Sequence, residues 1–130
     1  MNKRAFLFAL SALALLVSVP RFVRAEGSAP PEADKLLGHL IDAVKAESYD
    51  AFLADADANM KKQLSRQQFE GLCGLYSKPL KKGYTLTYFG QLMKKGMVVY
   101  VWKVASVGAP EEVLIRLAVK DGKVAGVLVQ

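Results

Sequence analysis

The chain of 130 residues is poor in the side chains that most often bind metals or cross-link domains, with a single cysteine, Cys73, and a single histidine, His39. One residue of each type excludes zinc sites built from several His or Cys ligands, and it excludes a disulfide framework within the chain. A catalytic triad would have to use His39, which we expect to be an exposed helix residue. No phosphate-binding glycine loop follows a strand pattern. We therefore expect no metal and no cofactor.

Acidic residues are absent from the first 25 residues, in which Lys3 and Arg4 precede an uncharged apolar run. This arrangement is typical of a signal peptide, and the run is shorter than the roughly 20 residues that span a bilayer. We predict a signal peptide over 1–25 that is cleaved after Ala25, a flexible lead over 26–31 and one domain over 32–130. The mature protein is then periplasmic or secreted and has no transmembrane anchor. The segment "KRAFL" resembles a twin-arginine signal, so the general secretory and twin-arginine routes both stay open.

The net charge of +6 overstates how basic the mature domain is, because four of the 18 basic residues and none of the 12 acidic ones lie in the predicted leader. The mature chain carries about +2, and we expect no nucleic-acid partner. Its charge is unevenly distributed. Residues 26–60 carry eight acids and two bases, whereas residues 61–103 carry nine bases and one acid.

The first half of the mature chain has helical periodicity. An apolar stripe predicts an amphipathic helix over 32–47, and Ser48 is placed to cap a second helix. Ser65 and Gln68 form a capping-box pattern that begins a further helix, on whose apolar face Cys73 lies. We expect this thiol to be buried, and an intermolecular disulfide is the alternative. Pro79 should end or kink this helix.

From Tyr84 onward the apolar period changes to two, which predicts strands. Their connections are short, and Asp121-Gly122 suits a tight hairpin turn, so consecutive strands should be antiparallel neighbours. This predicts an α+β fold with N-terminal helices packed on one face of a curved four-stranded antiparallel sheet. The predicted strands are 84–92, 97–106, 111–120 and 123–130.

The order of elements and the segments "SYDAFLADADANMKKQLSRQQFEGL", "LKKGYTLTYFGQL", "VYVWKV" and "VKDGKVAGVLVQ" resemble small exported bacterial domains of the nuclear transport factor two-like, or cystatin-like cone, superfamily. The resemblance covers about residues 33–130. It implies a cone-shaped α+β domain, on which the superfamily hosts isomerases, dehydratases and simple binding or dimerisation modules.

An isomerase or dehydratase on this scaffold would need a carboxylate base in the pocket and a phenol or protonated acid facing it. The aspartates near the helices belong to a helical pattern with polar neighbours, and the apolar positions of the sheet hold no acid. We therefore expect a non-enzymatic binding or assembly module, with an enzyme that uses the cone cavity as an alternative. The residues that such an enzyme would draw on are Tyr49, Tyr88, Tyr100, Asp50, Asp55 and Asp57.

Two kinds of ligand site follow as hypotheses. A cavity between helices and sheet would accept a small apolar ligand, unless core side chains fill it; its candidate lining is Leu40, Phe69, Tyr88, Tyr100 and Trp102. Lysine clusters would instead bind anionic cell-surface polymers or lipid headgroups in a salt-dependent way. The candidate anion-binding residues are Lys78, Lys81, Lys82, Lys94 and Lys95.

The strand around "MVVYVWKV" is apolar on both faces, which raises the question of what covers the second one. We expect the aromatic face to meet the helices and the aliphatic face to pack against a second copy, since monomers seldom expose a contiguous apolar patch. If the faces are reversed, Tyr100 and Trp102 would lie in the contact instead. The candidate dimer-face residues are Val99, Val101, Lys103, Ile115 and Leu117.

Overall fold

The computed structural model describes residues 28–130. The predicted signal peptide with its cleavage point after Ala25, and the first two residues of the predicted lead, lie outside the described residues. Within the lead, Ala29 is buried in the core, and the Pro30 carbonyl accepts hydrogen bonds from the backbone N–H groups of Ala33 and Asp34. No helix in residues 28–130 is long and apolar enough to cross a membrane.

Helix α1 spans Pro31–Ala46, close to the predicted 32–47. Proline suits the first helical position, where its missing N–H would have no helical partner, and Glu32 and Asp34 in the first turn favour the positive end of the helix dipole. Glu47 ends the helix with a left-handed backbone and donates its N–H to the last carbonyls. The predicted apolar stripe is buried: Leu36, Leu37, Leu40, Ile41 and Val44.

Three further helices follow, and a side chain caps the N-terminus of each. Ser48 caps α2 (Tyr49–Phe52), and Ser65 with Gln68 forms the predicted capping box of α4 (Arg66–Lys82). Helix α3 (Ala58–Gln63) has no counterpart in the sequence-based interpretation. Its cap is Asp57, whose carboxylate accepts from the Met60 N–H at 2.8 Å.

The prediction that the aspartates all lie on a helix is therefore wrong for two of them. Asp50 is in α2, but Asp55 lies in a turn and Asp57 is the non-helical cap residue. For Asp57 the reason is that a short carboxylate side chain binds a nearby backbone N–H, so it competes with helix continuation. Pro79 does not end α4, which continues to Lys82 before Gly83 closes it with a φ of 126°.

The four strands form one open antiparallel sheet in the order β1-β2-β3-β4, as predicted. β1 is two residues longer than expected and β3 begins two residues later. Lys95-Gly96 and Asp121-Gly122 each combine two positive φ angles, which matches the twist of a two-residue hairpin. The strands are β1 (Tyr84–Lys94), β2 (Met97–Ser106), β3 (Val113–Lys120) and β4 (Lys123–Val129).

The edge of β4 is partly covered by the turn that precedes α3. The Val124 N–H donates to the Asp55 carbonyl, and the Asp57 N–H donates to the Val124 carbonyl, both at 2.8 Å. This parallel bridge ties the helical half of the chain to the last strand. β1, at the other edge of the sheet, has no such cover among residues 28–130.

The core lies between the helices and one face of the sheet, which we call the inner face. Its most completely buried large side chains come from both halves of the chain, so neither half has a core of its own. Trp102 is only 1% exposed, and Tyr100 and Val104 on the same face of β2 are also buried. The largest fully buried side chains are Trp102, Phe69, Leu37, Leu117 and Val124.

Candidate functional site

The aromatic residues expected to line a cavity pack against one another. The rings of Tyr88 and Tyr100 lie 5.6 and 6.0 Å from the Trp102 ring, and the Phe69 ring lies 5.0 Å from Phe52. Tilted pairs at these distances are favourable contacts between filled core positions. Of the five predicted lining residues, only Leu40 borders the apolar cavity between α1, α4 and the sheet.

That cavity lies between α1, α4 and the inner face of the sheet. Its volume is about 50 Å³, far below the several hundred cubic ångströms of a typical small-molecule site. The lining is almost entirely apolar, with the Tyr76 and Ser106 side chains as its polar groups. It includes Ile41, Val44, Val113, Ile115, Val127 and Val129.

A larger groove of about 460 Å³ adjoins this cavity on the surface. One wall is the C-terminal part of α4, with Lys78 and Lys82 one helical turn apart, and the other is the loop from 107 to 111. Four residues line both the groove and the cavity, so the apolar interior adjoins a surface that carries lysines. The shared residues are Tyr76, Val104, Ser106 and Val113.

The structure does not gather the five predicted anion-binding lysines into one cluster. Lys81 faces Glu47, with 4.0 Å between its Nζ and the carboxylate. Lys94 ends β1 and Lys95 lies in the β1–β2 turn, a strand of 11 residues and thus roughly 30 Å along β1 from the C-terminal end of α4. Only Lys78 and Lys82 line one groove.

The predicted dimer face divides between the two sides of the sheet. Leu117 pairs with Tyr100 and Ile115 pairs with Trp102 across the β2–β3 ladder. Directly paired residues point to the same side of an antiparallel sheet, so Ile115 and Leu117 lie on the inner face, and Leu117 is completely buried. Alternation along β3 alone does not specify which set faces inward, because both sets are largely apolar.

Val99, Val101 and Lys103 lie on the opposite, outer face, where no element among residues 28–130 covers them. Their cross-strand neighbours on β1 include Leu92, which is 50% exposed, opposite Val99. On β3 the outer face carries Leu114, Arg116 and Ala118, and Lys103 lies 3.5 Å from the Glu112 carboxylate.

Sequence reasoning missed the concentration of exposed apolar side chains on β1. Seven large apolar residues are exposed within residues 28–130, and four of them belong to this one strand. Phe89 lies at a bulge between Tyr88 and Gly90, where it has no cross-strand partner. The signal was present as ten consecutive uncharged residues from Tyr84 to Met93. The four residues are Leu86, Phe89, Leu92 and Met93.

The residues that an isomerase would need are not brought together. The Tyr49 hydroxyl donates to the Leu64 carbonyl, and Tyr88 donates to the Gln91 side chain at 3.2 Å. Burial raises the Tyr88 pKa, and Tyr100 and Asp34 add to the effect. The three aspartates lie in α2, a turn and a helix cap, and the cavity lining contains no carboxylate.

His39 is an exposed helix residue, as expected, and it also has an acidic partner. Its Nδ1 lies 2.7 Å from an Asp55 carboxylate oxygen, and the two side chains remain 49% and 31% exposed. The shallow groove beside this pair is lined otherwise by Asp42 and alanines, so it contains no hydroxyl or thiol nucleophile. Within residues 28–130, no three His, Cys, Asp or Glu side chains are arranged to hold a metal ion.

Cys73 is buried on the inward side of α4. Desolvation by burial raises the pKa of its thiol, and the negative charges of Glu47 and Glu70 raise it further. Because the thiolate is the reactive form, this environment makes the thiol a poor nucleophile.

No protein-family model matches this sequence, and the curated proteins contain no relative that is detectably similar to it.

Proposed function

We propose that this chain is an exported, non-enzymatic assembly module with a nuclear transport factor two-like cone architecture, and that it works as a homodimer. The observation that carries the proposal is the one-sided packing of the sheet. The helices cover its inner face, whereas Leu92, Val99 and Val101 form an apolar outer surface beside the uncovered edge of β1. A surface of this kind is typical of a protein contact.

The contact is centred on β1 rather than on the middle of the sheet. Phe89 is 58% exposed at the bulge of β1 and extends this apolar surface along the free edge. We call the surface the β1 margin; it comprises Phe89, Leu92, Val99 and Val101. Met93, which is 68% exposed, pairs with Val98 and therefore lies on the inner-face side of β1, outside the margin.

A second copy of the chain suits the β1 margin because the margin contains no charge. A twofold contact places the same patch on both partners, and like charges facing one another would oppose it. Arg116 pairs with Val101 on the β3 side of the margin, about 10 Å from β1, so it lies at the rim of a contact centred on that strand. Natural proteins usually protect a long free edge with charged side chains, whereas the one charged residue of β1 is Lys94 at its end.

The cone architecture and the export of the protein rest on different observations. The order of helices followed by an open antiparallel meander, with bulges at Tyr88/Gly90 and Ala118/Val119, supports the cone. Export rests on the basic and then apolar pattern of residues 1–25. N-terminal sequencing of protein recovered from outside the cytoplasm should begin at Glu26, and protein retained in the cytoplasm with Met1 would refute export.

The dimer is tested by light scattering on Leu92→Glu, with Leu128→Glu as the matched control. Both leucines are half-exposed on the outer face, so both changes should leave the fold intact, but Leu128 lies on the opposite edge strand. We expect wild type and Leu128→Glu to be dimers and Leu92→Glu to be a folded monomer. A wild-type protein that is monomeric at high micromolar concentration, or equal effects of the two changes, would refute the proposed contact.

A further inference from the structure

We propose that the groove at the C-terminal part of α4 binds a single-chain carboxylate amphiphile, with its carboxylate between Lys78 and Lys82 and its tail directed into the apolar cavity. This site is separate from the β1 margin and does not depend on self-association. The juxtaposition that carries it is an apolar cavity that shares four lining residues with a groove bordered by two lysines.

The two lysines are available to an anion. They lie at i and i+4 on α4, a spacing that places them on one side of the helix, and both border the groove. Neither forms an ion pair within residues 28–130, whereas the neighbouring Lys81 approaches Glu47. The last turn of a helix favours cations, which suits Lys82 at the end of α4.

The boundary between groove and cavity adds neutral hydrogen-bonding groups. Tyr76 and Ser106 line both spaces, and their hydroxyls form no side-chain hydrogen bond within the described residues. No buried polar side-chain atom in that part of the chain lacks a partner, so these hydroxyls are open to solvent or to a ligand. A carboxylate can accept from hydroxyl and ammonium donors together.

The size of each space limits the ligand. A volume of about 50 Å³ holds only the last carbons of a chain, since a single water occupies about 30 Å³ in the liquid. The groove of about 460 Å³ accepts the headgroup and the rest of a short tail. A bulky or two-chain lipid fits neither space, which favours a short, unbranched acid.

Glu111 is the one acidic side chain that lines the groove. Its negative charge repels an anionic ligand, so its removal should change the affinity in the opposite direction from removal of the lysines. Neutralising Glu111 should tighten the binding of a carboxylate, whereas neutralising the lysines should weaken it.

Titration calorimetry with octanoate, octanol and acetate separates the contributions of charge and tail. We expect octanoate to bind wild type more tightly than either of the others, and its affinity to fall as salt is raised. The double variant Lys78→Gln/Lys82→Gln should lower the affinity for octanoate roughly tenfold and leave the affinity for octanol unchanged. Glu111→Gln should raise the affinity for octanoate a few-fold. The matched control is Lys94→Gln/Lys95→Gln, which removes the same charge far from the groove and should have little effect.

The proposal is overturned if octanoate gives no heat of binding at millimolar concentration, or if acetate binds as tightly as octanoate. It is also overturned if the two lysine pairs have equal effects. Val113→Phe, which places a ring at the shared boundary, should reduce octanoate and octanol binding together; unchanged binding in this variant, once circular dichroism shows it folded, would place the tail elsewhere. The expected binding results are the same for a monomer and for a dimer, so failure of this proposal is distinguishable from failure of the proposed dimer.

Discussion

Leu117 and Leu128 lie on neighbouring strands of one sheet, yet the first is completely buried and the second is 51% exposed. Leu117 faces the helices beside Tyr100, whereas Leu128 faces away from them opposite Arg116. The contrast shows that this sheet has one face that holds the fold together and one that remains available. An apolar residue type is therefore a poor guide to its role here, because both faces are rich in apolar side chains.

Thiol labelling should give the largest difference between the covered and uncovered sides. The reference thiol is a cysteine introduced on the outer face by Lys120→Cys in a Cys73→Ala background. Native Cys73 should react about a thousandfold more slowly than this thiol. A rate ratio of that size corresponds to a free energy of about 4 kcal/mol for the opening that exposes Cys73. Burial and neighbouring carboxylates raise the pKa of the Cys73 thiol, so its rate should keep rising at pH values where an ordinary thiol is already ionised. Rapid labelling of native Cys73 at neutral pH would contradict the core assignment.

The two leucines themselves provide the next comparison. Leu117→Ala should lower the free energy of unfolding by about 3 kcal/mol, because it removes buried methyl groups and leaves a cavity. Leu128→Ala should change it by about 0.5 kcal/mol or less. Urea denaturation of both variants measures the difference, and equal losses would show that the outer face is buried in the protein as it exists in solution.

The concentration dependence of the melting temperature tests whether a second copy covers the outer face at the β1 margin. If the β1 margin binds a second copy, assembly contributes about 2.7 kcal/mol at a protein concentration one hundred times the dissociation constant. The wild-type melting temperature should then rise with concentration, and that of Leu92→Glu should not. A wild-type melting temperature that is constant from low to high micromolar concentration would contradict the binding of a second copy at this face.

The smallest effect is expected at the rim of the covered side. His39→Gln removes the contact with Asp55 that joins α1 to the turn beside β4, but both side chains are partly exposed. Exposed pairs of this kind contribute about 0.5 kcal/mol, and salt screens them. A double-mutant cycle with Asp55→Asn in urea measures the coupling, and a value of several kcal/mol would mean that this pair holds the helical half to β4.

Local patterns were sufficient for most of the secondary structure. The stripe of α1, the Ser65–Gln68 capping box and the Asp121-Gly122 turn are short-range interactions, so their residues specify them without help from the rest of the chain. Helix α3 was missed because its six residues carry only a weak apolar period, and its cap, Asp57, also fits a polar helix surface.

The candidate sites were less predictable, because each depends on residues that are distant in sequence. Tyr88, Tyr100 and Trp102 are apolar aromatics on one side of the sheet, but the side chains opposite decide whether they line a space or fill it. The cavity instead lies where valines of β3 and β4 meet α1. The groove beside Lys78 and Lys82 likewise requires the loop from 107 to 111 as its second wall.

Side chains alternate between the two sides of an extended strand. The sequence alone therefore places Val99 and Val101 on the opposite side of β2 from Tyr100 and Trp102. The choice of inner face for β3 is not local. It follows from the register that sets Leu117 opposite Tyr100 and Ile115 opposite Trp102, and a shift of one residue would have turned Leu114 and Arg116 toward the helices instead. Burying the Arg116 guanidinium in that apolar core would carry a large desolvation cost, and this is the physical reason that the folded sheet turns Ile115 and Leu117 inward.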